Sequence, residues 1–233
     1  MTTYPNAPRL LGAAFLIVIV TSLIAGIFGL NSGTTVSPDG VSDQLVSISN
    51  NLDMMHISIL GGMLNATSIV FLAVLLYIVL SSQDKVLALV ALGLWLAEAV
   101  FYAIMQIGTL ALIPLSQEFV RAGAPANSFY QVLGEFLYNG INGNGLAIHM
   151  WFYCAGGLLW YYLFYRSQYV PRAISLFGIL AVILGLAGIA FQLIGYSVPI
   201  YVYLPIGLFE LIIGIWLVLK GIEEPRPAAG QAG

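Results

Sequence analysis

Residues 57–80 read ISILGGMLNATSIVFLAVLLYIVL, a run without a charged side chain. A bilayer core requires about 20 predominantly apolar residues for one crossing helix. Lipid offers no hydrogen-bond partner to backbone amides and carbonyls, so such a run spans the membrane as a helix and not as an isolated strand. Six runs of this kind occur along the chain: Leu10–Leu30, Ile57–Leu80, Val86–Leu112, Ile141–Phe164, Ala173–Gly195 and Ile200–Leu219. We therefore predict an all-α, polytopic integral membrane protein with six transmembrane helices.

The composition of the 233-residue chain supports this class. Hydrophobic residues make up 60% of it and charged residues 7%, whereas a soluble domain carries roughly a quarter charged residues. Too few charges remain to cover a water-facing surface, which excludes an ordinary cytosolic enzyme and a disordered chain. A nucleic-acid-binding protein would need clustered Lys and Arg, so we expect no nucleic-acid partner. The single cysteine, Cys154, excludes an internal disulfide and a CxxC metal knuckle.

The distribution of basic residues predicts the orientation of the chain. If six spans alternate in direction, only Arg121 falls on one side of the membrane. The basic residues that then fall on the other side are Arg9, Lys85, Arg166, Arg172, Lys220 and Arg226. By the positive-inside rule that side is cytoplasmic. We therefore expect a multi-pass protein of the plasma membrane with both termini in the cytoplasm.

The segment between the fourth and fifth runs is typical of an anchor at the headgroups. Arg166 and Arg172 flank it, and Pro171 starts the next helix at a position that needs no amide donor. Together with Lys85 and Lys220, the two arginines are predicted to fix helix ends at the membrane surface. The aromatic belt expected beside them consists of Tyr161, Tyr162, Tyr165 and Tyr169. A specific site for a lipid phosphate or a partner is the alternative interpretation.

Two long connections, Asn31–His56 and Ile113–Gly140, lie on the predicted outer side. Each has apolar residues at helical spacing, and the first has a helix-start pattern at Ser37-Pro38-Asp39. The apolar positions are Val41, Leu45, Ile48, Leu52 and Met55 in the first and Phe129, Val132, Leu133, Phe136 and Leu137 in the second. We predict two short amphipathic helices on the outer face or folded over the helix ends. Residues 1–222 then form one transmembrane domain, and the Pro/Ala/Gly-rich residues 223–233 a disordered cytoplasmic tail.

Three strings in the sequence resemble a known family. Residues 160–172, WYYLFYRSQYVPR, contain a YRSxxxPR string, and residues 207–221, GLFELIIGIWLVLKG, form a C-terminal signature. The segment Ala97-Glu98-Ala99 is similar to the middle section of the same family. The family is DUF4386, a bacterial and archaeal family of six-helix membrane proteins, and the resemblance covers residues 9–221. It implies the six-helix topology and no particular activity.

Two acidic residues lie near the predicted centre of the bilayer. Glu98 is 13 residues after Lys85 and Glu210 is 10 residues before Lys220, which places them about 20 Å and about 15 Å along their helices. Ionisable side chains at this depth are costly and usually functional. Other polar residues recur at helical spacing and must point inward, because lipid would penalise them. The predicted members of one outward-facing polar pocket are Glu98, Glu210, His149, Asn65, Tyr102, Gln106 and Gln192.

Several interpretations of these polar residues stay open. They can serve as interhelical polar contacts without a ligand, worth about 0.6 kcal/mol per hydrogen bond. His149 with Glu98 and Glu210 has the ligand types of a zinc or iron site, and His56 with His149 has those of a haem site. No HExxH spacing supports a metal, and two histidines at different depths do not favour haem. We therefore expect no cofactor.

The absence of a catalytic motif favours a non-enzymatic function. We expect a binding or accessory protein with a polar intramembrane pocket. The alternative is a small proton-coupled transporter that uses Glu98 and Glu210 as paired carboxylates. A less favoured alternative is an intramembrane enzyme that uses His149 with the two acids, in a metal- or haem-dependent form or without a cofactor. The expected partners are membrane lipids and either further copies of the chain or a larger membrane complex.

Overall fold

The computed structural model of the chain describes residues 7–31 and 40–222, which are helical and contain no strand. The predicted helix start at residues 37–39 and the predicted disordered tail lie outside the described residues. The eight α-helices are α1 (Ala7–Asn31), α2 (Val41–Asn50), α3 (Leu52–Leu80), α4 (Lys85–Arg121), α5 (Phe129–Glu135), α6 (Asn144–Ser167), α7 (Arg172–Leu193) and α8 (Leu204–Lys220). A π-helical segment, Phe136–Gly143, joins α5 to α6, and a 3-10 turn, Ile200–Tyr203, precedes α8.

Five of the described helical segments are long and apolar enough to cross a membrane: α1, α3, α4, α7, and α8 together with the 3-10 turn before it. The chain is therefore a helical protein of the multi-pass membrane type. The remaining long helix, α6, has 24 residues but also a histidine, two tryptophans and several tyrosines. These side chains make α6 less apolar than the other five, so the count of six crossings stays a prediction.

The six long helices form a closed ring. Going around it, α1 packs against α3, α3 against α4, α4 against α6, α6 against α7, α7 against α8, and α8 returns to α1. Large side chains such as Phe15, Trp95 and Phe209 fill the interior. Other large apolar side chains, Phe71 and Ile107 among them, are mostly exposed on the outside. An apolar exterior is what a lipid solvent requires of a membrane protein.

The predicted anchor residues lie together at one end of the ring, here called the basic end. Lys85 and Arg172 begin their helices, whereas Arg166 and Lys220 are in the last turns of theirs. The two neighbouring loops contact each other, because Arg166 Nη1 lies 3.6 Å from Asp84 Oδ2 and Gln83 Nε2 donates to the Tyr169 hydroxyl at 3.1 Å. Asp84 Oδ1 also accepts hydrogen bonds from the first amides of α4, as an N-cap residue does.

The helix that contains the third predicted span does not end with that span at Leu112. The helix continues through Pro114 to Arg121 and has 37 residues, or about 55 Å at 1.5 Å per residue. Leu112, Leu115 and Phe119 on this extension are buried against α2 and the segment after α5. This packing offsets the cost of a proline inside the helix. It also creates a second, smaller hydrophobic core at the end of the ring opposite the basic end, here called the far end.

Two short helices occur where they were predicted, but their apolar faces differ from the prediction. Leu45 and Ile48 of α2 are buried as expected, while Met55 belongs to the first turn of α3. Three of the five apolar positions predicted for the second helix are exposed, at 73% for Phe129, 67% for Val132 and 61% for Phe136. The reason is that α5 turns Gly134, its smallest residue, towards α2. A Cβ built on Gly134 would lie 2.9 Å from Val41 Cγ1.

The ring is closed by glycines at the contact between α1 and α8. A Cβ atom on Gly12 would lie 2.6 Å from the backbone nitrogen of Val218 and 2.8 Å from the carbonyl oxygen of Gly214. These neighbours are backbone atoms and cannot rotate away as a side chain would. Small residues at such positions allow two membrane helices to pack with their backbones in contact.

We expect Gly12→Ala to lower the stability of the protein by about 1–3 kcal/mol, because the added methyl group overpacks the α1–α8 contact. The matched control is Gly26→Ala on the same helix, where an added Cβ has no neighbour within 4 Å and where alanine improves helix propensity by about 0.5–1 kcal/mol. The measurement is the thermal unfolding midpoint of the purified protein in detergent. Equal midpoints for the two variants would contradict the close approach of α1 and α8.

Candidate functional site

Four polar side chains from three helices lie inside the ring. Glu98 comes from α4, His149 and Tyr153 from successive turns of α6, and Glu210 from α8. All four are buried, with 2% of Glu98 and 7% of His149 exposed. The two carboxyl groups are close enough to interact electrostatically. The prediction that both acids turn inward is therefore confirmed by their burial.

Glu98 and His149 form a pair that is close but not directly hydrogen-bonded. His149 Nδ1 is 3.9 Å from Glu98 Oε1, which exceeds the length of a hydrogen bond. Glu98 Oε2 and His149 Nδ1 have no hydrogen-bond partner among the described residues. The edge of the Tyr102 ring packs on the imidazole at 5.0 Å between ring centroids and limits its rotation. Buried polar atoms without a partner are rare in proteins and require an explanation.

Glu210, in contrast, is tied into a hydrogen-bonded chain. The Tyr153 hydroxyl donates to Glu210 Oε1 at 2.9 Å and shares a second hydrogen bond of 2.9 Å with the Tyr161 hydroxyl. The Tyr153 ring is stacked on Trp95, whose indole nitrogen donates to the Tyr153 carbonyl at 3.0 Å. Trp95 fits there because residue 156 is a glycine. A Cβ at that position would lie only 2.4 Å from the Trp95 ring. The orientation of Tyr153 is thus set by packing as well as by hydrogen bonding.

Two tyrosines of the site, Tyr153 and Tyr161, were not among the residues predicted for the pocket. Tyr161 was interpreted as part of an aromatic belt, but it is fully buried and contacts Phe209 at 4.3 Å between ring centroids. The signal that could have found it is its spacing from Tyr153. Residues eight positions apart lie on the same face of a helix, so Tyr161 shares the inward face of α6 with His149 and Tyr153.

The amide residues of the predicted pocket make interhelical contacts. Asn65 Oδ1 accepts a hydrogen bond of 2.9 Å from the Thr21 hydroxyl, which links α3 to α1. Asn65 is also within hydrogen-bonding reach of Tyr102. Gln106 Nε2 donates to the Tyr102 carbonyl at 3.3 Å, and its side chain lies against Gly62 of α3. Asn65, Tyr102 and Gln106 therefore line the region between α1, α3 and α4, beside the Glu98–His149 pair.

Gln192 is not part of this group. Its side chain is exposed at the end of α7, where Oε1 accepts a hydrogen bond of 3.3 Å from Tyr203. Helical spacing placed Gln192 on the inward face of its helix, but at this position the inward face extends beyond the packed interior. His56, near the start of α3, is also exposed. Among the described residues, no three His, Cys, Asp or Glu side chains are arranged to hold a metal ion.

Comparison with protein-family models gives a match to the domain of unknown function DUF4386 over residues 10–221. The chain belongs to the DUF4386 family. No curated protein and no solved structure matches it significantly. What this DUF4386 protein can do must therefore be argued from its own side chains. They provide one hydrogen-bonded acid, Glu210, and one buried acid–imidazole pair with unused hydrogen-bonding capacity.

We expect Tyr153→Phe to destabilise the protein by about 1–3 kcal/mol, because it removes the hydroxyl between Glu210 and Tyr161 and leaves the buried carboxyl without its donor. Tyr162→Phe is the matched control, since Tyr162 lies on the same helix and is 44% exposed. Thermal unfolding in detergent measures both. The hydrogen-bonded chain is not important for stability if the two variants unfold at the same temperature.

Proposed function

We propose that this DUF4386 protein crosses the plasma membrane six times with both termini in the cytoplasm. The 24 residues of α6 extend about 36 Å at 1.5 Å per residue, enough for a hydrocarbon core of about 30 Å. The helix packs between α4 and α7, two of the helices that are long and apolar enough to span. The concentration of Lys85, Arg166, Arg172 and Lys220 at the basic end supports a cytoplasmic location for that end.

We propose further that the protein is a binding or accessory subunit whose interior takes up a small polar ligand. The observation that carries this proposal is the Glu98–His149 pair, in which a buried carboxylate oxygen and a buried imidazole nitrogen have no partner among the described residues. A carboxylate accepts hydrogen bonds, and a neutral imidazole accepts one at its unprotonated nitrogen. A ligand that donates hydrogen bonds, such as an ammonium group, would satisfy both atoms. It would reach them from the far end, which is the outer side in this orientation.

A binding role fits the geometry better than a catalytic role. Catalysis by His149 would need a further reactive group within hydrogen-bonding reach. The second acid, Glu210, is instead held by Tyr153. The cysteine of α6, Cys154, is buried. Its sulfur packs closely against Gly185 of α7, since a Cβ added to that glycine would lie 2.9 Å from the sulfur. A buried thiol in apolar surroundings is normally inert.

A small proton-coupled transporter is the second candidate, and the hydrogen-bonded chain favours it. Tyr161, Tyr153 and Glu210 are connected by hydrogen bonds of 2.9 Å. Glu98 and His149 lie beside them in the same interior. Chains of acids, histidines and hydroxyl groups inside a membrane protein are typical of proton relays. In a transporter of this kind, Glu98 and Glu210 would carry the proton, and His149 would accept it from them.

The topology makes a prediction for cysteine labelling. Single variants Ser82→Cys, Ala126→Cys and Ser197→Cys place a thiol in three exposed loops, while the native Cys154 is buried and stays unlabelled. In intact cells a membrane-impermeant maleimide should label residues 126 and 197, and residue 82 only after permeabilisation. If α6 does not cross, residue 197 lies on the opposite side from residue 126, and its protection in intact cells would refute six crossings.

The ligand site predicts a response to a small cationic donor. Ammonium chloride should raise the thermal unfolding midpoint of the wild-type protein above that in sodium chloride at equal ionic strength, because a ligand that binds the folded state stabilises it. Glu98→Gln and His149→Phe should lose this increase, since each removes one acceptor. The matched control is Glu135→Gln, which neutralises an exposed acid outside the interior and should retain the increase.

Two results count against the ligand site: no difference between ammonium and sodium, or the same difference in Glu98→Gln as in the wild type. The same proteins in liposomes with a trapped pH dye distinguish the second candidate. A transporter moves protons in the wild type and less in Glu98→Gln and Glu210→Gln. A binding protein gives the ammonium effect without proton movement above that of empty liposomes.

A further inference from the structure

A cleft lies at the far end, away from the interior acids. It has a volume of about 660 Å³ and lies between α2 and the segment made of α5 and the π-helix. Residues 40–44 form one wall and residues from 127 to 139 form the other. Small-molecule sites in proteins usually have volumes of about 300–1,000 Å³. The cleft therefore has the size of a site for a small organic molecule.

The two walls of the cleft are held together by specific contacts. Gln131 Nε2 donates a hydrogen bond to the Ser42 hydroxyl, and Gln131 Oε1 accepts one of 3.0 Å from the Ser128 amide. Gly134 brings α5 close to α2, because a side chain there would collide with Val41. Below the walls, the buried core of the far end includes Leu45 of α2 and Leu137 of the π-helix. These contacts join the two walls of the cleft, and a site formed before its ligand arrives lowers the entropic cost of binding.

The lining of the cleft combines apolar surface with amide and hydroxyl groups and carries little charge. Gln44, Gln131 and Asn139 contribute amide groups, and Ser42 and Tyr138 contribute hydroxyl groups. Amides and hydroxyls both donate and accept hydrogen bonds, which matches them to a ligand that carries hydroxyl groups. Burial raises the pKa of Tyr138, so its hydroxyl keeps its proton and can act as a donor.

The charges of the cleft narrow the class of ligand. Glu135 is its one charged side chain among the described residues, and no Lys, Arg or His lines it. An anionic ligand would therefore be repelled by Glu135 and would find no counter-ion.

We propose that the cleft between α2 and α5 binds an uncharged, hydroxyl-rich small molecule of sugar size. This site shares no residue with the Glu98–His149 pair and takes a different class of ligand. The proposal therefore goes beyond the function proposed above, and either of the two can fail without the other.

The test is saturation-transfer difference NMR and calorimetry with the full-length protein, purified in a detergent without a sugar headgroup. Glucose and maltose are the uncharged probes, and gluconate is the anionic probe. The uncharged probes should bind and gluconate should not. Asn139→Ala should weaken binding roughly fivefold to tenfold, the effect of one lost hydrogen bond. Because Asn139 is exposed, this variant is not expected to disturb folding.

The control variants are Asn50→Ala, which removes an exposed amide of α2 that does not line the cleft, and Glu98→Gln in the interior. Both should bind the sugars as the wild type does. The proposal is overturned if neither glucose nor maltose binds, if gluconate binds as tightly as they do, or if Asn139→Ala and Asn50→Ala have equal affinities.

Discussion

The inability of lipid to form hydrogen bonds determines how this chain is arranged. Polar side chains on spanning helices therefore turn towards the protein interior, where partners are available. The closed ring provides such an interior, because α8 returns to α1 and each of the six long helices packs against two neighbours. The contact of Gly12 with the backbone of α8 is therefore important beyond its own packing energy. A wider gap between α1 and α8 would expose the inner face of the ring to lipid.

Most polar groups in this interior are accounted for by interhelical or intrahelical bonds. Thr21 bonds to Asn65, Ser58 donates to the carbonyl of Ala25, and Glu210 accepts from Tyr153. Such bonds hold helices together and need no ligand to explain them. Glu98 differs from Glu210 in this respect, although both lie at similar depths. The contrast between one satisfied and one unsatisfied acid is the reason for assigning ligand binding to the Glu98 side of the interior.

Sequence periodicity predicted features that depend on a single helix, such as which of its faces turns inward. It predicted fewer of the features that depend on how neighbouring helices pack. The spacing of Glu98, Tyr102 and Gln106 correctly indicated an inward face, because a polar stripe has one permitted direction in lipid. Gln192 has the same helical spacing but lies at the end of α7, where its side chain is exposed. Periodicity along one helix does not indicate where its contacts with neighbouring helices end. The exposure of Phe129 was not predictable for a similar reason. Whether α5 turns its large or its small residues inward depends on how closely α2 approaches Gly134, a property of two segments together.

The interior pair and the far-end cleft are joined by one helix, since α4 carries Glu98 in the ring and Phe119 in the core beneath the cleft. A continuous helix would transmit movement of its outer end to the ring. Pro114 lies between Glu98 and Phe119 and weakens this connection, because proline has no N–H for the hydrogen bond to the preceding turn and its ring crowds that turn. Kinks in long helices concentrate at such positions. Pro114 is therefore the position at which α4 bends most easily between Glu98 and the far end. The proposed cleft site and the proposed interior site are thus separated along α4 by its one internal proline.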